Sequence, residues 1–206
     1  DRGNVLLGLD VRWRVAERIT LLGQFGLDDF QYQNRSGPTR TPDRYAFTLM
    51  ATGPLAGQVA WRAAYTQASS LAFRTTDPVE NLIDQGVGLG RSFADNDQLT
   101  LNVTTPVTPR WLISPEFTLL RQGEGRIGDP FPSGTARGDT PTLFIGTVER
   151  TWRAALGLSG RQGPLSIQAN AGLHYIQNQF HIDGRNRTRF VGRIQATLGI
   201  GRGGRL

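Results

Sequence analysis

Cysteine is absent from this sequence, which excludes a disulfide framework and any thiolate metal site. Also absent is a run approaching the roughly 20 continuous apolar residues that a membrane-crossing helix needs. A helical membrane protein is thereby ruled out. A membrane β-barrel is not, because its strands alternate and average to modest hydropathy, and the mean hydropathy here is −0.33. Lysine is missing too: all 23 basic side chains are arginine, as a codon bias of the source genome would produce. The formal charge of +6 and pI near 10.8 raise nucleic acid as a partner. The arginines are spread along the whole chain, however, rather than gathered on one patch. That dispersion suits a solvated wall or an acidic glycan, and no nucleic-acid partner is expected. No initiator methionine or signal peptide opens the chain at Asp1, so the numbering is expected to begin inside a longer precursor.

What is present is period-two alternation, segment after segment, across a single domain spanning residues 1–206. Val5, Leu7, Leu9, Val11 and Trp13 alternate with Gly8, Asp10, Arg12 and Arg14. Ile19, Leu21, Phe25 and Leu27 oppose Thr20, Gln24 and Asp28; Tyr45, Phe47 and Leu49 oppose Arg44 and Thr48. Trp61, Ala63 and Tyr65 oppose Arg62 and Thr66, and Leu99, Leu101 and Val103 oppose Gln98, Thr100 and Asn102. Trp111, Ile113, Phe117 and Leu119 share one face of the next segment. A long segment from about Thr142 to Ser159 sets Trp152, Ala154, Leu156 and Leu158 against Arg153 and its neighbours. Leu165 to Tyr175 and Phe190 to Ile200 complete nine segments. Each is about ten residues long, the length of a tilted membrane-crossing strand.

A soluble β-sandwich alternates as well, but the connections favour a membrane. Those after the odd-numbered segments are read as four to six residues. Those after the even-numbered ones are long, at about 30–43, 67–97, 123–141 and 177–187. Short turns on one side and long loops on the other mark outer-membrane barrels. Trp13, Trp61, Trp111 and Trp152 are placed toward the short-turn side, and Tyr45, Tyr65 and Tyr175 near the long loops, as two aromatic girdles would be. The opposite face, with Asp10, Arg12, Arg62, Arg153, Arg189 and Arg193, becomes a polar lumen. The fold class is therefore all-β, an antiparallel transmembrane β-barrel. It is expected in a bacterial outer membrane, with long loops extracellular and the carboxy terminus periplasmic. Outer-membrane lipid and lipopolysaccharide are the expected surroundings. Arg150 shares the parity of Trp152 and would point at lipid. Either a bulge near Glu149 resets the phase, or, preferably, the strand protrudes beyond the bilayer.

An odd number of strands, the first running inward from the outside, implies that upstream strands complete the barrel. The tail after Ile200 lacks the terminal aromatic usual in such proteins. Several stretches resemble the capsule-assembly Wzi-like family of outer-membrane proteins. They are Leu6-Leu7-Gly8-Leu9-Asp10, Leu22 through Phe30, Gly88-Leu89-Gly90-Arg91, Asp95-Asn96-Asp97-Gln98-Leu99, Leu120 through Glu124, and Asn178 through Arg187. The segment from Gly90 to Asn96 departs from that family's glycine- and proline-richer version. The resemblance implies a barrel of about eighteen strands, of which these would be the carboxy-terminal half and the missing amino-terminal half a partner. It also implies a non-enzymatic surface lectin that attaches capsular polysaccharide.

The loops supply candidate ligands for an acidic polysaccharide. Arg35, Arg40, Arg74, Arg91, Arg126, Arg137, Arg185 and Arg187 offer guanidinium forks, and Tyr32, Phe73, Phe131 and Phe180 offer stacking surfaces. Lipopolysaccharide bridging explains the same residues without a specific ligand. An arginine-lined porin or transporter is the alternative function. Asp28-Asp29 reads as a strand-end carboxylate paired to a lumen arginine rather than a catalytic pair. Asp95, Asn96 and Asp97 carry hard oxygen ligands that suit calcium, although an ordinary turn is the preferred account. His174 falls on the lumen face with no serine two residues away, and His181 in a loop, so a lipid-modifying barrel enzyme lacks a nucleophile–base pair. No catalytic residue, metal or cofactor is expected.

Overall fold

The computed structural model describes residues 7–29, 42–74, 83–84, 87–88, 94–133 and 135–199. Alternation becomes one nine-stranded antiparallel sheet. In order, its strands are β1 (Leu7–Ala16), β2 (Ile19–Asp29), β3 (Arg44–Ala56), β4 (Val59–Ala68), β7 (Asn96–Thr108), β8 (Trp111–Gln122), β9 (Glu149–Gln162), β10 (Leu165–Gln177) and β11 (Arg187–Leu198). Each pairs with its neighbours in sequence. A two-stranded hairpin, β5 (Ile83–Asp84) and β6 (Val87–Gly88), interrupts the β4–β7 connection. The only α-helix among the described residues is α1 (Thr135–Asp139), and a 3-10 turn covers Gln179–His181. The sheet is open, with β1 and β11 as its edges.

The short connections are tighter than the sequence suggests. Each is two residues: Glu17-Arg18, Gly57-Gln58, Pro109-Arg110 and Gly163-Pro164. Strands run on through residues that read as breaks because bulges absorb them, between Arg14 and Ala16, Pro54 and Ala56, and Pro106 and Thr108. The residues left out of the ladder are Val15, Leu55 and Val107, and Pro54 and Pro106 stand in register immediately before two of them. Gly57 and Gly163 open their turns at φ +55° and +58°, a backbone region that a side chain disfavours.

Two further boundaries differ from the sequence reading. β9 begins at Glu149, not near Thr142, because Phe144 and Gly146 take left-handed conformations and fold back onto the loops. Trp152 consequently lies at the loop end of its strand, paired with Tyr175, and not on the turn side with the other tryptophans. Arg150 keeps its phase: the β8–β9 and β9–β10 registers run through it without a bulge, and it sits exposed beside the loops.

The register gathers most of the large apolar side chains of the central strands on one face. One cross-sheet row reads Leu9, Phe25 and Phe47. Another reads Trp61, Val103; a third Pro115, Leu156, Ala171 and Gly192. Large apolar side chains on this face are solvent-exposed, including Leu9, Leu49, Leu101, Leu156 and Leu173. On β10 the apolar parity runs from Leu165 to Tyr175. Ten residue steps at about 3.3 Å give about 33 Å along the strand, or about 25 Å of height at the tilt usual in barrels. Two of the tryptophans on the turn side face glycine: Trp61 opposes Gly53 and Trp111 opposes Gly160. A Cβ at Gly160 would sit 2.3 Å from the Trp111 ring, so the indole lies directly on the bare backbone.

The buried core is elsewhere. Ala68, Ala72, Ala94 and Ile127 cluster with Ala46 and Phe73 where the loops fold over the loop end of the other, polar face. The hydrophobic centre of the described molecule is a loop cap.

Candidate functional site

The cap is organised by Asp95, fully buried at φ 58°. Its carboxylate accepts backbone N–H groups from Ile145 at 2.8 Å, Gly125 at 3.1 Å and Phe144. Gly123 N–H donates to the Asp95 carbonyl at 2.8 Å, and Asp95 N–H to Ser69 at 3.1 Å. A Cβ at Gly123 would fall 2.0 Å from the Asp95 carboxylate, and one at Gly125 2.9 Å from its Cβ. Only glycine permits this approach. Burial pushes the Asp95 carboxyl above its ordinary range, against the pull of the three amides and Arg126. Asp97 points elsewhere, to a salt bridge with Arg121 and the Tyr65 hydroxyl at 2.9 Å. The 95–97 oxygens thus diverge, and no grouping suited to a metal occurs among the described residues.

Asp28 pairs with Arg44 at 3.4 Å, both buried, as the strand-end reading expects. Asp29 follows in register with Arg44. Arg44 also donates to the Arg74 carbonyl and lies 5.6 Å from the Phe131 ring. Of the loop arginines proposed as ligands, three are committed inside the cap. Arg74 is buried and donates to Pro130, and burial lowers its pKa from the usual value. Arg137 stacks 5.3 Å from Phe131 and donates to Pro132. Arg126 donates to the carbonyls of Gly123 at 2.9 Å and Gly125 at 3.1 Å. His181 meets Arg126 at 2.8 Å through Nε2 and the Thr147 carbonyl at 2.7 Å through Nδ1. Arg185, stacked 5.1 Å from exposed Phe180, and exposed Arg187 remain open to solvent. Tyr32, Arg35, Arg40 and Arg91 lie outside the described residues.

The polar face is hydrogen-bonded along its length. Gln24 donates to Asp10 at 2.9 Å, and Thr48 meets Thr66 at 3.1 Å. Arg153 bridges Glu116 and Asn170. Arg12, Arg62, Arg189 and Arg193 are exposed on the same face. His174 is flanked in register by Arg153 on β9 and Arg189 on β11. Its neighbours are cations and an amide rather than a nucleophile.

The alternation missed a polar row that crosses the apolar face at its loop end. Gln67 donates to the Tyr45 hydroxyl at 2.8 Å, and the Tyr65 hydroxyl reaches Gln67 at 3.0 Å. Asp97, Arg121, Arg150 and Gln177 continue the row by register. The signal was present: Gln67, Asp97 and Arg121 share the parity of Tyr65, Leu99 and Leu119.

No protein-family model matches this chain, and neither a curated protein nor a solved structure matches it.

Proposed function

We propose that these strands form the wall of an outer-membrane β-barrel that binds acidic extracellular polysaccharide at its outer mouth. One observation carries the membrane reading. The exposed apolar face has the height of a bilayer's apolar band, and it ends at a row of tyrosine hydroxyls and charges. In water that face would be an aggregation hazard; in lipid it is solvated. β1 and β11 run in the same direction, since an odd number of alternating strands separates their ends. Antiparallel closure therefore requires an odd number of further strands, which nine more would satisfy. Two copies of this sheet would instead meet at parallel seams.

The binding reading draws on the resemblance to capsule-assembly proteins, on the surplus of arginine and on the built cap. The segment that presents Arg185, Phe180 and Arg187 is tied to the loop end of β9 by Phe180 N–H donating to Glu149 at 2.7 Å and Asn178 donating to the Val148 carbonyl at 3.1 Å. The test is binding of full-length protein to polygalacturonate and to neutral dextran in rising salt. Salt-sensitive binding to the acid alone supports the reading, and equal retention of both glycans sinks it. A conducting porin is the second reading, favoured by the exposed arginines of the polar face. Anion-selective conductance in a planar bilayer would establish it.

A further inference from the structure

The positive charge of the polar face is concentrated at one edge. β10 and β11 contain no acidic residue, whereas β11 carries Arg187, Arg189 and Arg193 at alternate positions facing the same way. Arg153, His174 and Arg189 form one row across β9, β10 and β11. Neighbouring members are separated by one strand spacing, about 4.8 Å. Arg153 is occupied by Glu116 and Asn170. Arg189 is exposed, and the His174 Nε2 beside it is buried without a hydrogen-bond partner. A buried polar atom left unpaired is costly, so a ligand that satisfies it binds the more tightly for it.

The next row toward the turns is small: Ala155, Gly172 and Val191. A Cβ at Gly172 would meet the Ala154 carbonyl at 2.6 Å, so this floor cannot be filled from below. Beyond it lie Gly157, Asn170 and Arg193, opening into a recess of about 400 Å³ that Ser114 and Gln195 also line. The arrangement is a cationic rim, a shallow floor, and then hydroxyls, amides and a second cation. Two residue steps separate successive rows, about 6.6 Å each. Rim to recess therefore spans about 13 Å, the reach of a short oligosaccharide rather than of one small anion.

We propose that the β9–β11 wall is a binding site for a short acidic sugar chain. Its carboxylates pair with Arg189 and Arg193, and its hydroxyls bond Asn170, Gln195 and the recess floor. This rests on the glycan-binding barrel reading and moves the ligand from the loops to the wall.

The experiment measures binding of trigalacturonate, and of neutral cellotriose, to the full-length protein by calorimetry. Unaltered protein is expected to bind trigalacturonate at least tenfold more tightly than cellotriose. Replacing both wall arginines (Arg189→Gln with Arg193→Gln) should weaken trigalacturonate at least tenfold. The double lysine variant should retain most of the affinity, and Arg12→Gln with Arg62→Gln, exposed on the same face but on β1 and β4, should change it less than threefold. Unchanged trigalacturonate binding in the wall glutamine variant overturns the site; if polygalacturonate still binds, the barrel's glycan reading survives. Cellotriose binding as tightly as the acid overturns the role of the cations. Loss of polygalacturonate binding to intact protein with trigalacturonate still held by the wall removes the surface-lectin reading and leaves the site standing.

Discussion

The sheet and its cap solve opposite problems with the same chain. The sheet exposes leucine, valine and phenylalanine on one face and, away from the polar row at its loop end, carries its hydrogen-bonding side chains on the other. The cap does the reverse, burying alanines and Ile127 while Asp95 gathers backbone amides around itself. A protein folded wholly for water would have one interior. Here the larger element has its apolar side toward the surroundings, and the smaller one has an ordinary core. On the proposed membrane reading, two solvents shaped this molecule: hydrocarbon around the strands and water over the loops.

The largest expected effect tests the sheet. Leu101→Arg puts a charge at mid-height of the apolar face, which should cost about 4 kcal/mol of folding in lipid vesicles. Thr100→Arg, on the other face, should cost under about 1 kcal/mol. Equal costs for the two, measured by urea unfolding in vesicles, would erase the distinction between the faces. The cap comes next. Asp95→Ala strands buried amides of Gly125, Phe144 and Ile145 and should cost about 3 kcal/mol. Hydrogen exchange should quicken at those amides and leave the central strands protected. If instead the whole sheet loses protection, cap and sheet are one cooperative unit.

Gly160→Val should follow at about 2 kcal/mol, because the new side chain displaces the Trp111 indole. Tryptophan emission should shift red as the ring leaves its seat; an unshifted spectrum argues against that contact. The smallest effect belongs to Tyr65→Phe, which removes one hydroxyl from Asp97 and should cost about 1 kcal/mol. Trypsin sensitivity at Arg121 is its check, since the Asp97 partner is then less restrained.

Much of this contrast was legible in the residues. Alternation located all nine strands and both faces because side-chain parity is a local property of extended backbone. Trp152 was misplaced for a non-local reason: the start of β9 depends on Phe144 and Ile145 reaching Asp95, some fifty positions earlier. The commitment of Arg74, Arg126 and Arg137 to the cap was invisible for the same cause. An arginine in a loop has the same letter whether it meets a glycan or the carbonyl of a distant proline. Asp28 was read correctly as a paired carboxylate, but its partner came from the adjoining strand end, where register alone suffices.

The two-residue turns have a kinetic consequence. β1–β2, β3–β4, β7–β8 and β9–β10 are each joined at minimal loop-closure entropy, so four hairpins can zip independently within microseconds. The seams between hairpins await the long connections and close later. Assembly should therefore proceed in steps of two strands, with the cap, which draws on several connections at once, the last part to set.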